Sequence, residues 1–314
     1  MSGPACTVIA GGVGAARFLR GLVRAVDPAG VTAIVNVADD VVMHGLHVSP
    51  DLDTVTYTLA GVDNTETGWG VVDETWQAME TLGRYGGDVW FNLGDRDLGT
   101  NLFRTGRLRD GAPLSAVTAD ITAGWDIEAT LLPATDDRVA TRVTTQDHGE
   151  IGFQEYFVRH RHAVPVTSIR FAGIEDARPG PGVLDAIAEA DLVVVAPSNP
   201  IVSIGPVVSI PGIREAIEAR RDTVVGISPI IGGKALKGPA DRLMRELGME
   251  PSVLGVADAY RELVGTLVID DVDAGEADAV RDRDLRCIVT DTIMRDADIA
   301  AQLATTIIEG VLGP

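Results

Sequence analysis

The sequence predicts an α/β fold: a Rossmann-like, mostly parallel sheet with helices on both faces and a smaller subdomain inserted into it. Three observations carry that expectation. Hydrophobic residues make up 46% of the 314 residues but aromatics only 4%, so the core must be built from Val, Ile, Leu and Ala, the residues of strands covered on both faces. Aliphatic runs alternate with helix-like segments through most of the chain, as βαβ units require. Between about 110 and 165 the alternation gives way to Thr/Val/Arg stretches around the turn-like Asp147-His-Gly-Glu150, the texture of a hairpin. The expected organisation is one core formed by 1–109 and 166–314, with 110–165 inserted as a hairpin-bearing subdomain. A chain of this length can bury one large core and a small appended unit.

In order, a strand is expected at 6–10, a helix from about Gly14 to Val26 and a strand at Val31–Val37. A helix should open near Ser49-Pro50, with serine able to cap and proline suited to the first turn. Another helix at about Asp73–Leu82 and a strand at Asp88–Leu93 follow. In the insertion, Arg138–Thr144 and Gly152–Val158 read as the two hairpin strands. The core resumes with strands at Pro165–Ala172, Asp191–Ala196, Thr223–Ser228, Thr266–Ile269 and Arg286–Thr290. Helices near Leu184–Ala190, Gly212–Arg220 and Asp296–Leu312 alternate with them.

A net charge of −20 argues against nucleic acid as a partner, because no basic stripe can displace phosphate counterions. No apolar run approaches a membrane span and no basic leader opens the chain, so a soluble cytoplasmic protein is expected. Cys6 and Cys287 form neither a metal pattern nor a disulfide framework and read as buried thiols. His44, His47, His148, His160 and His162 have no metal spacing and are read as non-catalytic.

Ligands of a parallel sheet sit beyond the carboxyl ends of its strands, and each aliphatic run here is followed by a polar loop. Gly11-Gly12-Val13-Gly14 leads into a helix whose free N–H groups could bind an anion. It is not a Walker A loop, and Arg17 stands where the third glycine of a dinucleotide fingerprint belongs. The second strand is followed by Asp39-Asp40 and, shortly after, by Asp51 and Asp53. Four carboxylates at one sheet edge are usual equipment for Mg²⁺, although Asp51 and Asp53 also suit a first helical turn without any function. Arg96 lies between two acids in Gly94-Asp-Arg-Asp97, and Pro197-Ser198-Asn199-Pro200 makes a rigid wall. Of the 26 lysine and arginine residues only two are lysines, Lys234 and Lys237. Both lie in Ile231-Gly-Gly-Lys-Ala-Leu-Lys-Gly238, which reads as a phosphate cradle containing Gly232 and Gly233.

Taken in order, Gly11-Gly-Val-Gly14, Val35-Asn-Val-Ala-Asp-Asp40, Ser49-Pro-Asp-Leu-Asp-Thr54, Leu93-Gly-Asp-Arg-Asp97, Pro197-Ser-Asn-Pro200 with Ser203-Ile-Gly-Pro206, and Ser228-Pro-Ile-Ile-Gly-Gly233 resemble the 2-phospho-L-lactate transferase family (CofD, or FbiA) of coenzyme F420 biosynthesis. That resemblance implies a Mg²⁺-dependent, homodimeric enzyme with a Rossmann-like core. The deazaflavin alcohol Fo would attack, through its ribityl hydroxyl, a guanosine diphosphate ester of lactate or enolpyruvate. GMP would leave, giving F420-0 or its dehydro form. By motif position Asp53 and Arg96 are the expected Fo contacts and catalytic residues. Loop placement assigns Gly11, Gly12, Gly14, Ser198, Asn199, Gly232, Gly233 and Lys234 to the guanosine diphosphate portion. Mg²⁺ is expected on Asp53, with Asp39 or Asp40 beside it; alternatively Asp53 accepts the hydroxyl proton. Which donor is used stays open. The alternative is a non-catalytic nucleotide-sugar-binding regulator similar to the YvcK-like gluconeogenesis factors, against which Gly94–Asp97 and Ser49–Asp53 speak. An NAD-dependent dehydrogenase fails on the missing fingerprint.

Overall fold

In the computed structural model, residues 3–65 and 68–313 are described. β1 (Cys6–Ala10) runs directly into α1 (Gly12–Ala25), whose Ala15, Ala16, Phe18, Leu19 and Leu22 recur at helical spacing and are buried. β2 (Val31–Val35) follows, then a short hairpin, β3 (Val41–Met43) with β4 (Leu46–Val48). α2 (Pro50–Leu59) starts on a proline, but Ser49 donates its hydroxyl to Asp40 at 2.7 Å instead of capping the helix. α3 (Gln77–Arg84), α4 (Asp95–Arg109) and α5 (Leu114–Gly124) lead to β5 (Thr130–Pro133). Next come β6 (Ala140–Thr145), β7 (Gly149–Gly152) and β8 (Val166–Ala172), then α6 (Val183–Glu189) and β9 (Leu192–Val195). α7 (Gly205–Ser209), α8 (Ile213–Glu218) and β10 (Val224–Ile227) precede a second small hairpin, β11 (Ile230–Ile231) with β12 (Lys234–Ala235). The chain ends with α9 (Ala240–Glu246), α10 (Val253–Tyr260), β13 (Thr266–Ile269), α11 (Ala277–Arg281), β14 (Arg286–Val289) and α12 (Ala297–Leu312).

Seven strands form one sheet in the order β14-β13-β10-β9-β1-β2-β5, all pairs parallel. The chain winds outward from β1 to β5, then returns to β9 on the other side of β1. This is the doubly wound order of Rossmann folds, and its switch point lies between β1 and β9. Alternate residues face opposite layers: Val8 and Ala10 pack with the inner faces of α1 and α12, while Ile9, Ile34 and Val195 pack with α6, α8 and α10. Among the described residues no helix is long and apolar enough to cross a membrane. Cys6 is buried and Cys287 partly so, both free.

Several expectations are corrected. Asp88–Leu93 is not a strand; Trp90, Phe91 and Leu93 instead pack as an irregular segment on Met43, Val48 and Met79, a satellite cluster beside the hairpin. Aliphatic and aromatic residues there satisfy a local core without a ladder partner. The helix expected at 73–82 begins at Gln77, where Asp95 accepts the N–H groups of Gln77 and Ala78 and holds the first turn from outside. The stretch 152–158 does not extend as a strand: β7 ends at Gly152 and 155–159 forms a single helical turn that buries Tyr156. Val166–Ala172 is a strand, but it pairs antiparallel with β6 in a three-stranded sheet ordered β7-β6-β8. That sheet does not coincide with 110–165, because β5 lies in the main sheet and β8 in the small one.

Candidate functional site

A cleft of about 770 Å³ opens along the carboxyl ends of the strands. Its floor is the turn from β1 into α1. Gly11 is extended and puts no side chain over the helix start, and no acid of α1 itself occupies its first turn; the Asp51 carboxylate takes the Gly12 N–H, which leaves the N–H groups that follow it for an anion. Gly12 has φ 68°, a left-handed backbone that favours glycine. A Cβ on Gly14 would stand 2.2 Å from the Pro197 carbonyl oxygen, so glycine here lets the loops after β1 and β9 touch. Ser198 fastens them, its Oγ donating to the Gly11 carbonyl at 2.6 Å. Asn199 turns its side chain to the N–H groups of Ile201 and Val202.

One wall is acidic. Asp39, Asp51, Asp53 and Asp97 all line the cleft and all are buried. Burial, then repulsion from Asp51, pushes Asp39 well above the usual carboxylate range, and its Oδ1 has no partner among the described residues. Burial also pushes Asp51 up to about 7, although Asn36 donates its amide to Oδ2 at 3.0 Å. Asp97 is likewise pushed up to about 7 by burial and by Asp53, and it accepts the Tyr57 hydroxyl at 2.6 Å. Asp53 differs. Both its oxygens accept from the Arg104 guanidinium, Nη1 lying 3.1 Å from Oδ2. Burial still raises Asp53, with Arg104 opposing it.

The expected site residues therefore separate. Gly11, Gly12, Gly14, Asp39, Asp53, Ser198 and Asn199 come together around the cleft. Asp40 points away, accepting from Ser49 at 2.7 Å and meeting His47 Nε2 at 2.8 Å. Arg96 opens α4 with its side chain exposed, donating to the Val72 carbonyl at 2.8 Å, and is not on the cleft wall. Lys237, rather than Lys234, lines the cleft. Gly232 and Gly233 shape the turn between β11 and β12 with φ 56° and 77°, away from the lining.

Arg104, Gln154 and an aromatic flank were not anticipated. Arg104 is 2% exposed and holds Asp53 and Asn101. Gln154, from the segment after β7, donates to the Asp39 carbonyl at 3.0 Å. Phe153 and Phe157 stack with centroids 5.5 Å apart and face the cleft together with Trp90, Phe91 and Trp69. Such a flank can take a flat ring, and the segment that follows β7 supplies two of its five rings.

The residues present fit a divalent cation at Asp39 and Asp51. Both are hard oxygen donors whose ionisation is penalised until a positive charge is shared between them, and Asp39 Oδ1 is an orphaned buried acceptor. Among the described residues no third His, Cys, Asp or Glu is grouped with them, so water and substrate oxygen would complete the shell, as Mg²⁺ prefers.

Over residues 6–309 the chain matches the family model described as 2-phospho-L-lactate transferase CofD. It is 47% identical over 307 residues to a Streptomyces griseus protein named phosphoenolpyruvate transferase, covering 96% of each chain. To a protein of the same name from Mycolicibacterium smegmatis it is 42% identical over 312 residues, covering 95% of each. Among solved structures, a Bacillus halodurans protein described as a member of the upf0052 family superposes with a TM-score of 0.63 at 18% identity, over 98% of this chain and 100% of that one. That likeness shows the fold alone. With the glycine turn, the acid wall and the Pro197–Pro200 wall meeting at the switch point of a doubly wound sheet, and the match spanning nearly the whole sequence, the chain belongs to the CofD family of 2-phospho-L-lactate transferases.

Proposed function

We propose that the protein transfers the phosphoenolpyruvyl group of enolpyruvyl diphosphoguanosine to the terminal ribityl hydroxyl of Fo. The hydroxyl oxygen bonds to the distal phosphorus, the bond to the bridging oxygen breaks, and GMP leaves with that electron pair. The product is the phosphodiester dehydro-F420-0. The observation that carries this reading is the 47% identity, over 96% of both chains, to a protein named phosphoenolpyruvate transferase; the lactyl ester is the other donor of the same chemistry.

The chain's own groups divide the work. The N–H groups at the start of α1 and the Lys237 ammonium meet the diphosphate, and the loops of Pro197–Ser203 and Ser228–Pro229 hold the nucleoside side. Asp39 and Asp51 would hold Mg²⁺, whose chemistry is to neutralise non-bridging phosphate oxygens as charge builds. Asp53 has both oxygens bound by Arg104, which suits it to fixing the wall and the acceptor. Asp97, titrating near neutrality, is matched to accept the hydroxyl proton. The aromatic flank excludes water and seats the deazaflavin.

The test is to incubate the purified protein with Fo, Mg²⁺ and each donor separately, and to look for GMP and the phosphodiester by mass spectrometry. Faster product formation from the enolpyruvyl donor is expected. Absence of product from either donor, with no quenching of Fo fluorescence, removes the reading.

A further inference from the structure

Beside the main cleft lies a second cavity, of about 130 Å³, that the mechanism above leaves unused. It sits between α1, α2 and the start of α12, and Arg17, Thr54 and Trp69 line both spaces. Its other ionised groups are satisfied within the protein. Arg20 pairs with Asp63 at 2.5 Å, Arg295 with Asp291 at 2.6 Å, and Asp296 accepts the N–H groups of Asp298 and Ile299 to cap α12. Arg17 is half-buried, and no ion pair or hydrogen bond to its guanidinium is found among the described residues. It and Lys237 are the only cations among the described residues that line the main cleft, against four carboxylates.

A half-buried guanidinium with no partner among the described residues suits an anion better than a purine or a deazaflavin ring. Its place lining the side cavity as well as the cleft lets it reach an anion beside the diphosphate. α1 begins at Gly12, so the Arg17 backbone lies about 7.5 Å further along the axis than Gly12, past the N–H groups of the first turn, at 1.5 Å per residue. Its side chain leans back toward them, reaching the junction of the two cavities. A donor ester of this class carries one other anion, the carboxylate of its three-carbon unit, and a planar fork with parallel N–H groups matches a carboxylate bidentately.

We propose that Arg17 is the specificity residue that binds the carboxylate of the transferred three-carbon unit, with that unit seated in the side cavity. The proposal rests on the transferase reading above. Arg17 explains how a site built for a diphosphate ester would reject the esters of simple alcohols, which bear the same phosphates and lack the acid.

Three ligands separate the possibilities: enolpyruvyl diphosphoguanosine, the vinyl ester of guanosine diphosphate that lacks only the carboxylate, and guanosine diphosphate itself. Affinities are measured by calorimetry with Mg²⁺ present. The unaltered protein should bind the carboxylate-bearing ester about 10- to 100-fold tighter than the vinyl ester, the range of a charge-assisted pair. Arg17→Met should erase that preference while changing affinity for the other two ligands by less than about twofold. Arg17→Lys, which keeps the charge and loses the fork, should retain only a small part of it, and this guards against a folding defect in the first variant, as do the melting curves. An undiminished preference in Arg17→Met overturns the assignment. So does an equal loss for all three ligands, which would make Arg17 a phosphate contact. If none of the three binds the unaltered protein, the transferase reading fails first.

Discussion

The two walls of the cleft are built on opposite electrostatic terms. On the side of β2, α2 and α4, four aspartates stand at 5%, 9%, 6% and 8% exposure for Asp39, Asp51, Asp53 and Asp97. On the side of β9 and β10, Pro197, Ser198, Asn199, Ser228 and Pro229 present no formal charge. The first wall carries an ionisation penalty that burial imposes and that a cation can relieve; the five residues named on the second offer shape and neutral hydrogen bonds at no such cost. The acid wall is itself divided. Asp53 is neutralised from behind by Arg104, whereas Asp39 has an oxygen without a partner among the described residues. A satisfied ion pair thus sits beside a cluster that, on the proposed reading, is held in reserve for a cation.

The largest effect should come from breaking the satisfied pair. Arg104→Met leaves Asp53 buried without its counter-ion, which costs about 3–5 kcal/mol. Chemical unfolding of Arg104→Met and of the Arg104→Met/Asp53→Asn double variant measures it, with the double variant recovering most of the loss. If the single variant unfolds at the unaltered midpoint, the pair contributes nothing to the wall.

Asp51→Asn should do the reverse. Asp51 titrates near 7 in the fold against an ordinary value of 3.8, so between those pH values the folded state binds more protons than the unfolded one. Its contribution is therefore present at low pH and is lost as pH rises through about 7. Removing the charge should stabilise the Mg²⁺-free protein by about 1–3 kcal/mol at pH 8 and flatten the decline in stability from pH 5 to 7.5. The same variant should lose Mg²⁺ binding and at least about 100-fold in turnover. A variant that is both less stable and fully active would place Asp51 outside the reserve and put the cation elsewhere.

How much of this wall was readable in advance follows from what each feature depends on. The seven strands of the main sheet are covered on both faces, so most appear as uninterrupted aliphatic runs, and the loops after them could be collected as a site. Asp88–Leu93 has the same apolar content but spends it on the cluster around Met79, and composition cannot distinguish a ladder from a patch. Arg104 stands 51 residues from Asp53 in a chain where all but two of 26 basic residues are arginine, so nothing local singles it out. Arg96, between two acids, carried the stronger local signal and is exposed. The choice between the two lysines depends on the turn at Gly232 and Gly233, whose left-handed backbone directs β12, and only three-dimensional geometry fixes that direction.

The neutral wall offers two smaller tests. Among the described residues Lys237 is the one cation that lines the cleft on that side, and it is exposed, so Lys237→Ala should leave the melting temperature unchanged and raise the donor KM about tenfold with Fo KM unaffected. The same effect in Lys234→Ala, with Lys237→Ala silent, would move the cradle to the other end of its loop. Ser198→Ala is the finest probe. It removes the donor that satisfies the buried Gly11 carbonyl and ties the loops on either side of the switch point, at about 1 kcal/mol. Because no charge is involved, the loss should be the same at pH 5.5 and pH 8, unlike that of any aspartate across the cleft. A pH-dependent loss would mean that the two walls are electrostatically joined through the glycine turn, and the contrast between them would have to be given up.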